Sequence, residues 1–281
     1  MTGRERPGST LRAALDERGH GLGTWVQMNS PEAGELAAAA GFDVVVIDME
    51  HGAHDLPSVA QVVRAVQGRG GDAIVRVPDT SGAMIGRVLD VGARGVLVPG
   101  IRTVDDAVRA VRAARYAPAG DRGACPLVPA SDHGLMPWSE VARRAGETHV
   151  WLLVEHPDAV TDIDRIADAA ASAGATALVL GPFDLAVAMG HGGDHRHPAV
   201  VAALTATTAA ALSAGLDCVA VTVEEDARAT ADAVASWRAA GCRIVTGLLD
   251  RYVLAHAYRT TLGEISSLHQ LNIPTGQNVH R

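Results

Sequence analysis

Short apolar, β-branched runs alternate with Ala-rich stretches of helical period from near residue 23 to near residue 265. The runs GTWVQM from Gly23, DVVVIDME from Asp43, AIVRVP from Ala73 and GVLVPG from Gly95 predict the first four strands. VWLLVEH from Val150, ALVLGPFDL from Ala177, DCVAVTV from Asp217 and CRIVTGLL from Cys242 predict four more. Between them lie helices such as SPEAGELAAAAG, in which Ser30 suits the N-cap, Pro31 the first helical position and Gly41 the exit. TVDDAVRAVRAARY, AVTDIDRIADAAASAG and EEDARATADAVASWRAAG read the same way. Near-continuous hydrophobic strands imply burial on both faces, so eight strand-helix units predict a (β/α)8 barrel; a doubly wound open sheet is the alternative. The pattern predicts a single domain over residues 1–281, with the barrel over about 20–265 and a polar, frayed or subunit-contacting tail over 266–281. Segment 117–141, rich in Gly, Pro and Ala, interrupts the alternation between the fourth of these helices and the fifth strand, and ordered loops of that length are often functional.

Composition narrows the chemistry. With 48% hydrophobic and 3% aromatic residues, the core is built from Ala, Val, Leu and Ile. No run approaches the roughly 18 apolar residues that a membrane span needs. The charged start, MTGRERPGSTLRAALDERGHG, has no apolar targeting core, so a soluble cytoplasmic protein is expected. Cys125, Cys218 and Cys242 have neither zinc spacing nor an even count and are read as packing residues. A net charge of -8 without a basic patch, and few aromatics, argue against nucleic acid and favour a small-molecule ligand. All 24 basic residues are Arg and none is Lys. That excludes a Schiff-base aldolase, a pyridoxal-phosphate enzyme and a P-loop, each of which requires a lysine amine. Carbonyl chemistry here needs a different electron sink.

In an α/β barrel, catalytic groups gather at the carboxyl ends of the strands. The second predicted strand ends in Asp48, Glu50 and His51, the third in Arg76, the fifth in Glu155, and the sixth in Gly181, Pro182, Phe183 and Asp184. Glu155 and Asp184, on neighbouring strands, form a candidate pair for a hard divalent cation such as Mg2+ or Mn2+. Each group also has a plainer reading. A carboxylate at a strand end caps a helix or pairs with Arg, Asp184 is placed to cap the helix beside it, Arg76 suits a structural ion pair, and His51 a satisfied loop position. The polar residues of the second strand share parity at Asp48 and Glu50, which are read as outer-shell groups around metal-bound water.

The strings VVIDMEHG, VRVP, VLDVGARGVLVPGIRTVDDAVRAVRAARYAPAGDRG, VEHPDAV and LGPFDLAVAMG resemble the HpcH/HpaI aldolase family of metal-dependent pyruvate aldolases, over roughly residues 10–260. The resemblance implies a TIM barrel of the phosphoenolpyruvate-pyruvate type, its last helix packed on a neighbouring subunit within a hexamer built as a trimer of dimers. It places the metal ligands for Mg2+, Mn2+ or Co2+ on Glu155 and Asp184, the catalytic arginine on Arg76, the proton-transfer histidine on His51 and its orienting aspartate on Asp90. It implies cleavage or formation of a 4-hydroxy-2-oxo acid through a metal-stabilised pyruvate enolate, with an aldehyde as the other partner. Backbone N–H groups around Gly181 and Phe183 are expected to receive the pyruvate carboxylate.

The chain departs from the family pattern at two places. Leu153 stands where the family often has Gln, and RGACPLVPASDHG replaces a Gly-rich loop followed by Arg. That loop is expected over the mouth, where it would alter the choice of aldehyde. A changed electrophile keeps open an oxaloacetate decarboxylase or a macrophomate-synthase-like reaction on the same enolate, and a non-catalytic relative is the third reading. HGGDHRH, with His191, His195 and His197, lacks helical ligand spacing and reads as a solvated loop before a helix at Pro198. His54 reads as a loop residue.

Overall fold

The computed structural model describes residues 9–224 and 227–269. Eight parallel strands close into a barrel in sequence order, β1 (Gly21–Val26), β2 (Val44–Asp48), β3 (Asp72–Arg76), β4 (Gly95–Val98), β5 (His149–Val154), β6 (Ala177–Leu180), β7 (Asp217–Val221) and β8 (Ile244–Gly247). The ring closes through β1 and β8, with Gly21 opposite Ile244. Closure excludes the open doubly wound sheet. All eight predicted strands form, but β2 stops at Asp48 and β6 at Leu180, short of the polar residues beyond them.

The helices are α1 (Thr10–Arg18), α2 (Pro31–Ala39), α3 (Leu56–Gly68), α4 (Gly82–Asp90), α5 (Val104–Ala114) and α6 (Trp138–Gly146) in the first half. The second half adds α7 (Pro157–Thr161), α8 (Ile163–Ala173), α9 (Pro182–Ala188), α10 (Pro198–Ser213), α11 (Ala227–Ala239) and α12 (Asp250–His269). Ser30 caps α2, accepting from the Ala33 N–H, with Pro31 at the first turn. Asp55 and Ser58 close a reciprocal cap on α3, and Thr103 and Asp106 do so on α5.

Period-2 alternation divides the core into two layers. Val45, Ile47 and Val75 face outward under the helices, while Val44, Val46, Ile74, Leu97, Trp151, Val179 and Val219 fill the barrel interior. Leu11 and Leu15 of α1 join the interior cluster and plug the end at which the strands begin. Gly21 leaves the space, since a Cβ there would lie 2.3 Å from Leu11 Cδ1. The interior is therefore closed at its base and polar only at its mouth.

Two regions qualify the expected boundaries. α12 extends past residue 265, and of the tail expected at 266–281 the part from residue 270 onward lies outside the described residues. Its apolar side chains are open to solvent, with Tyr258 66% and Leu262 46% exposed. Cys218 and Cys242 are buried free thiols beside Thr208, and Cys125 is half-buried, consistent with packing. Among the described residues no helix is long and apolar enough to cross a membrane.

Candidate active site

Inward parity carries Asp48 and Arg76 to the mouth as direct neighbours across the β2–β3 ladder. The guanidinium donates through Nε to Asp48 Oδ1 at 2.9 Å and through Nη2 to Oδ2 at 2.7 Å, a two-pronged clamp. Asp48 also accepts from Gln27 Nε2 at 2.8 Å and from the backbone N–H groups of Glu50 and His51 at 3.0 and 3.2 Å. Trp25 lies 5.0 Å from the guanidinium carbon, its ring facing the cation, and its Nε1 donates to Thr246. Burial pushes the Asp48 carboxyl up, but the Arg76 bonds and charge, Gln27 and the His51 N–H outweigh it and hold it below its ordinary range. Fully buried and saturated with donors, Asp48 fixes Arg76. It is not available as an outer-shell group around water, which corrects the expectation for this residue.

Glu50 lies against the third nitrogen, and Glu155 and Asp184 stand close enough to Glu50 to act on its charge. Arg76 Nη1 lies 2.8 Å from Glu50 Oε2, outside hydrogen-bond alignment, so that buried oxygen accepts no hydrogen bond. Burial raises the Glu50 carboxyl above its ordinary range, against Arg76 and His51, with Asp48 and Asp184 adding to the rise. Glu155 is pushed up to about 7, first by burial and then by Glu50 and Asp184, despite an N–H bond from Gly100 to Oε1 at 2.7 Å. Gly181 lets β6 pass this close, because a Cβ there would lie 2.7 Å from Glu155 Cβ. The mouth thus has more carboxylate than positive charge.

This donor set fits a hard divalent cation. Its acceptors are carboxylate oxygens, and the mutual repulsion that helps raise Glu50 and Glu155 is what a cation would relieve. Among the described residues no group of three His, Cys, Asp or Glu stands ready to hold a metal ion, so a cation between Glu155 and Asp184 would need water or substrate oxygens to complete its shell.

His51 projects at the same rim, its side chain 59% exposed and its Nε2 4.0 Å from Glu50 Oε2. Asp90, expected to orient it, does not reach it within the chain. Helices of a βα barrel return from mouth to base, so Asp90, the last residue of α4, lies at the opposite end; it accepts from Arg122 Nη2 at 2.7 Å. The same topology corrects the expectation for segment 117–141. An α-to-β connection sits at the base, where its 3-10 turn Pro129–Gly134 packs beside α4, not over the mouth of its own barrel. The carboxylate receptor narrows as well. The Gly181 N–H is taken by the Val154 carbonyl at 3.0 Å and Pro182 has none, which leaves the Phe183 N–H among the three. Leu153 is a buried lumen residue.

Sequence reasoning missed Gln27, Trp25 and Gly100. Trp25 and Gln27 were legible as the inward-facing end of β1, but a backbone N–H such as that of Gly100 leaves no side-chain signal. HGGDHRH behaves as the loop it was read to be. His191 and His197 stack with ring centroids 3.6 Å apart, and His197 caps α10, which begins at Pro198. His54 is half-buried beside the Val26 carbonyl, and burial lowers its pKa.

A closed parallel barrel with an arginine-clamped, carboxylate-rich mouth belongs to the α/β-barrel enzymes that work on oxygen-rich small molecules at the strand ends. Residues 22–245 match the model of the HpcH/HpaI aldolase/citrate lyase family, and the chain belongs to that family. It is 34% identical over 212 residues to the hydroxypyruvate/pyruvate aldolase of Paraburkholderia phytofirmans, covering 73% of this chain and 80% of that one. It is 33% identical over 219 residues to the 5-keto-4-deoxy-D-glucarate aldolase of Citrobacter koseri, covering 78% and 84%. A crystal structure of an HpcH/HpaI aldolase/citrate lyase family protein from Burkholderia cenocepacia superposes with a TM-score of 0.82 at 33% identity, covering 92% and 99% of the two chains. The chain is an enzyme of this aldolase/lyase class.

Proposed function

We propose that the chain is a divalent-metal-dependent aldolase of 4-hydroxy-2-oxo acids, working through the enolate of pyruvate. The observation that carries this reading is the mouth itself: Glu155, pushed up to about 7 among neighbouring carboxylates, beside an arginine held rigid by Asp48. Similarity to a hydroxypyruvate/pyruvate aldolase supports the choice of a short 2-oxo acid as donor. Mg2+, Mn2+ or Co2+ held by Glu155 and Asp184 supplies Lewis-acid stabilisation of negative charge on a 2-oxo group, in place of the lysine iminium that this sequence cannot form.

The protein groups divide the remaining work. In cleavage, His51 takes the proton of the 4-hydroxyl, the C3–C4 bond breaks to release the aldehyde, and the bonding pair passes into the enolate. Its exposed ring exchanges that proton with solvent. Arg76, pinned on two nitrogens, turns its remaining donors towards the developing oxygen charge without reorganising. The Phe183 N–H meets the substrate carboxylate at the start of α9. Protonation at C3 then gives pyruvate. The exposed apolar side chains of α12 support a contact of this helix with a neighbouring subunit, which in this reading is an exchange within a homohexamer, a trimer of dimers, of a cytoplasmic enzyme.

The test is turnover of 5-keto-4-deoxy-D-glucarate and of pyruvate or hydroxypyruvate with a panel of aldehydes. EDTA should abolish it, Mn2+, Mg2+ or Co2+ should restore it, and borohydride with pyruvate should leave the enzyme active. Metal-independent turnover rejects the reading. Oxaloacetate loss without aldol cleavage would move the assignment to a decarboxylase or macrophomate-synthase-like reaction on the same site.

A further inference from the structure

The pairing of β1 with β8 stops at Thr24 and Gly247, short of the residues at the mouth. Leu248 then takes a left-handed backbone, with φ 55°, which a bulky side chain adopts only at a cost. Its carbonyl accepts from the buried Thr24 hydroxyl at 2.6 Å, which holds the bend in place. The bend carries the chain out of β8 and brings Asp250, the first residue of α12, back to the end of β1. There Asp250 Oδ1 accepts from the Gln27 N–H at 3.0 Å and Oδ2 from the Met28 N–H at 2.9 Å. An aspartate at a helix start is ordinarily a cap, and Asp250 does accept from the adjacent Arg251 N–H at 2.7 Å. A cap does not require both oxygens to reach across to another element.

The Gln27 carbonyl is fixed as well, accepting from the Ala53 N–H at 3.1 Å and from Arg251 Nη2 at 3.2 Å. With its backbone held on both sides, Gln27 aims its side-chain Nε2 at Asp48 Oδ2, 2.8 Å away. That oxygen also accepts from Arg76 Nη2 at 2.7 Å. Hydrogen bonds in series therefore run from α12 to the guanidinium, from Asp250 to Gln27, from Gln27 to Asp48 and from Asp48 to Arg76. A donor that stabilises developing charge works only if its direction is fixed beforehand, so each link bears on the reaction.

We infer that Asp250 is a positioning residue, which sets the direction of the Arg76 guanidinium through Gln27 and Asp48. The seating of α12 on the barrel, and not the strands alone, governs this arginine. Asp250 touches neither substrate nor metal in this account. The inference rests on the aldolase reading for what Arg76 does, and on the hydrogen bonds alone for how it is held.

A double-variant cycle on the full chain tests the relay. Asp250→Ala and Gln27→Ala should each lower kcat for aldol turnover about tenfold. The double variant should also lose about tenfold rather than about a hundredfold, because both changes act through one amide. Melting temperature should fall with Asp250→Ala in either background, since two N–H groups lose their acceptor whether or not the amide is present. Asp250→Asn, which keeps one acceptor oxygen, should give a smaller loss, and it carries the cycle if Asp250→Ala does not fold. A crystal structure of the same Asp250 variant reads the geometry without turnover: the Gln27 amide should have left Asp48. Wild-type protein without aldol turnover would reject the aldolase reading and leave that structure to decide this inference. Losses that multiply to about a hundredfold, an undiminished kcat in the Asp250 variant, or an amide still seated on Asp48 overturn it.

Discussion

Asp72 begins β3 and Arg76 ends it, both facing the barrel interior, and the two ends of this strand differ in how completely their charges are met. At the base, Asp72 accepts from the Leu11 N–H at 3.0 Å and from the Ser9 hydroxyl, which ties α1 across the barrel floor. Burial pushes the neighbouring His149 well below its ordinary pKa, so it stays neutral near pH 7. Beyond that seal, the guanidinium groups at the base are met by acids, Arg94 by Asp72, Arg122 by Asp90 and Arg144 by Glu140. At the mouth carboxylates are in excess, with Glu50, Glu155 and Asp184 near one another and one arginine already claimed by Asp48. A fold that balances its charges at the base leaves acceptors unmet at the mouth. The mouth therefore calls for a cation.

Breaking the mouth should abolish chemistry without unfolding the chain. Glu155→Gln removes a ligand and a repelling charge together. Turnover should fall about 10^4-fold, and calorimetry should find weaker Mn2+ binding, while the metal-free protein melts no lower than wild type. Loss of His51 comes next: His51→Ala should lower kcat about 10^3-fold, with Mn2+ affinity unchanged because the histidine holds no metal in this account. Arg76→Lys keeps the charge and loses the fork, so kcat should drop about 10^2-fold.

The pH profile sharpens the same contrast. A Glu155 carboxyl pushed up to about 7 is protonated below that pH and must lose its proton to bind a cation. Metal affinity should fall about tenfold per pH unit below 7 and level off above it. The raised pKa stabilises the metal-free fold fully below the unfolded value of 4.5, and that contribution is lost as pH rises through about 7. Melting curves should therefore separate with and without Mn2+ most at pH 8 and least at pH 5. At the base the prediction reverses: Asp72→Ala should destabilise by about 3 kcal/mol by stranding the donors of α1, with kcat per folded molecule unchanged.

The barrel was legible because its strands are buried on both faces and its helices carry caps and exits in sequence, from Ser30–Pro31 to Gly41. The clustering of Glu155, Asp184, Arg76 and His51 was legible through one rule, that strand ends share a mouth. The division of labour between Asp48 and Glu50 was not. Parity puts both on one side, but only the register of β2 against β3 gives Asp48 to the guanidinium and leaves Glu50 with an orphaned oxygen. Asp90 and segment 117–141 misled for a related reason. Motif order along the chain does not say which end of the barrel a residue occupies, whereas alternation of strand and helix does: the connection leaving a helix lies at the base.

The central claim is that the carboxylate mouth, with its cation, makes an enolate from a 2-oxo acid. Exchange of the pyruvate methyl protons in D2O, followed by 1H NMR, reads this step with no aldehyde present. The account predicts exchange with wild type and Mg2+, suppressed by EDTA and by Glu155→Gln. Exchange that continues undiminished in the chelated enzyme or in Glu155→Gln would contradict it.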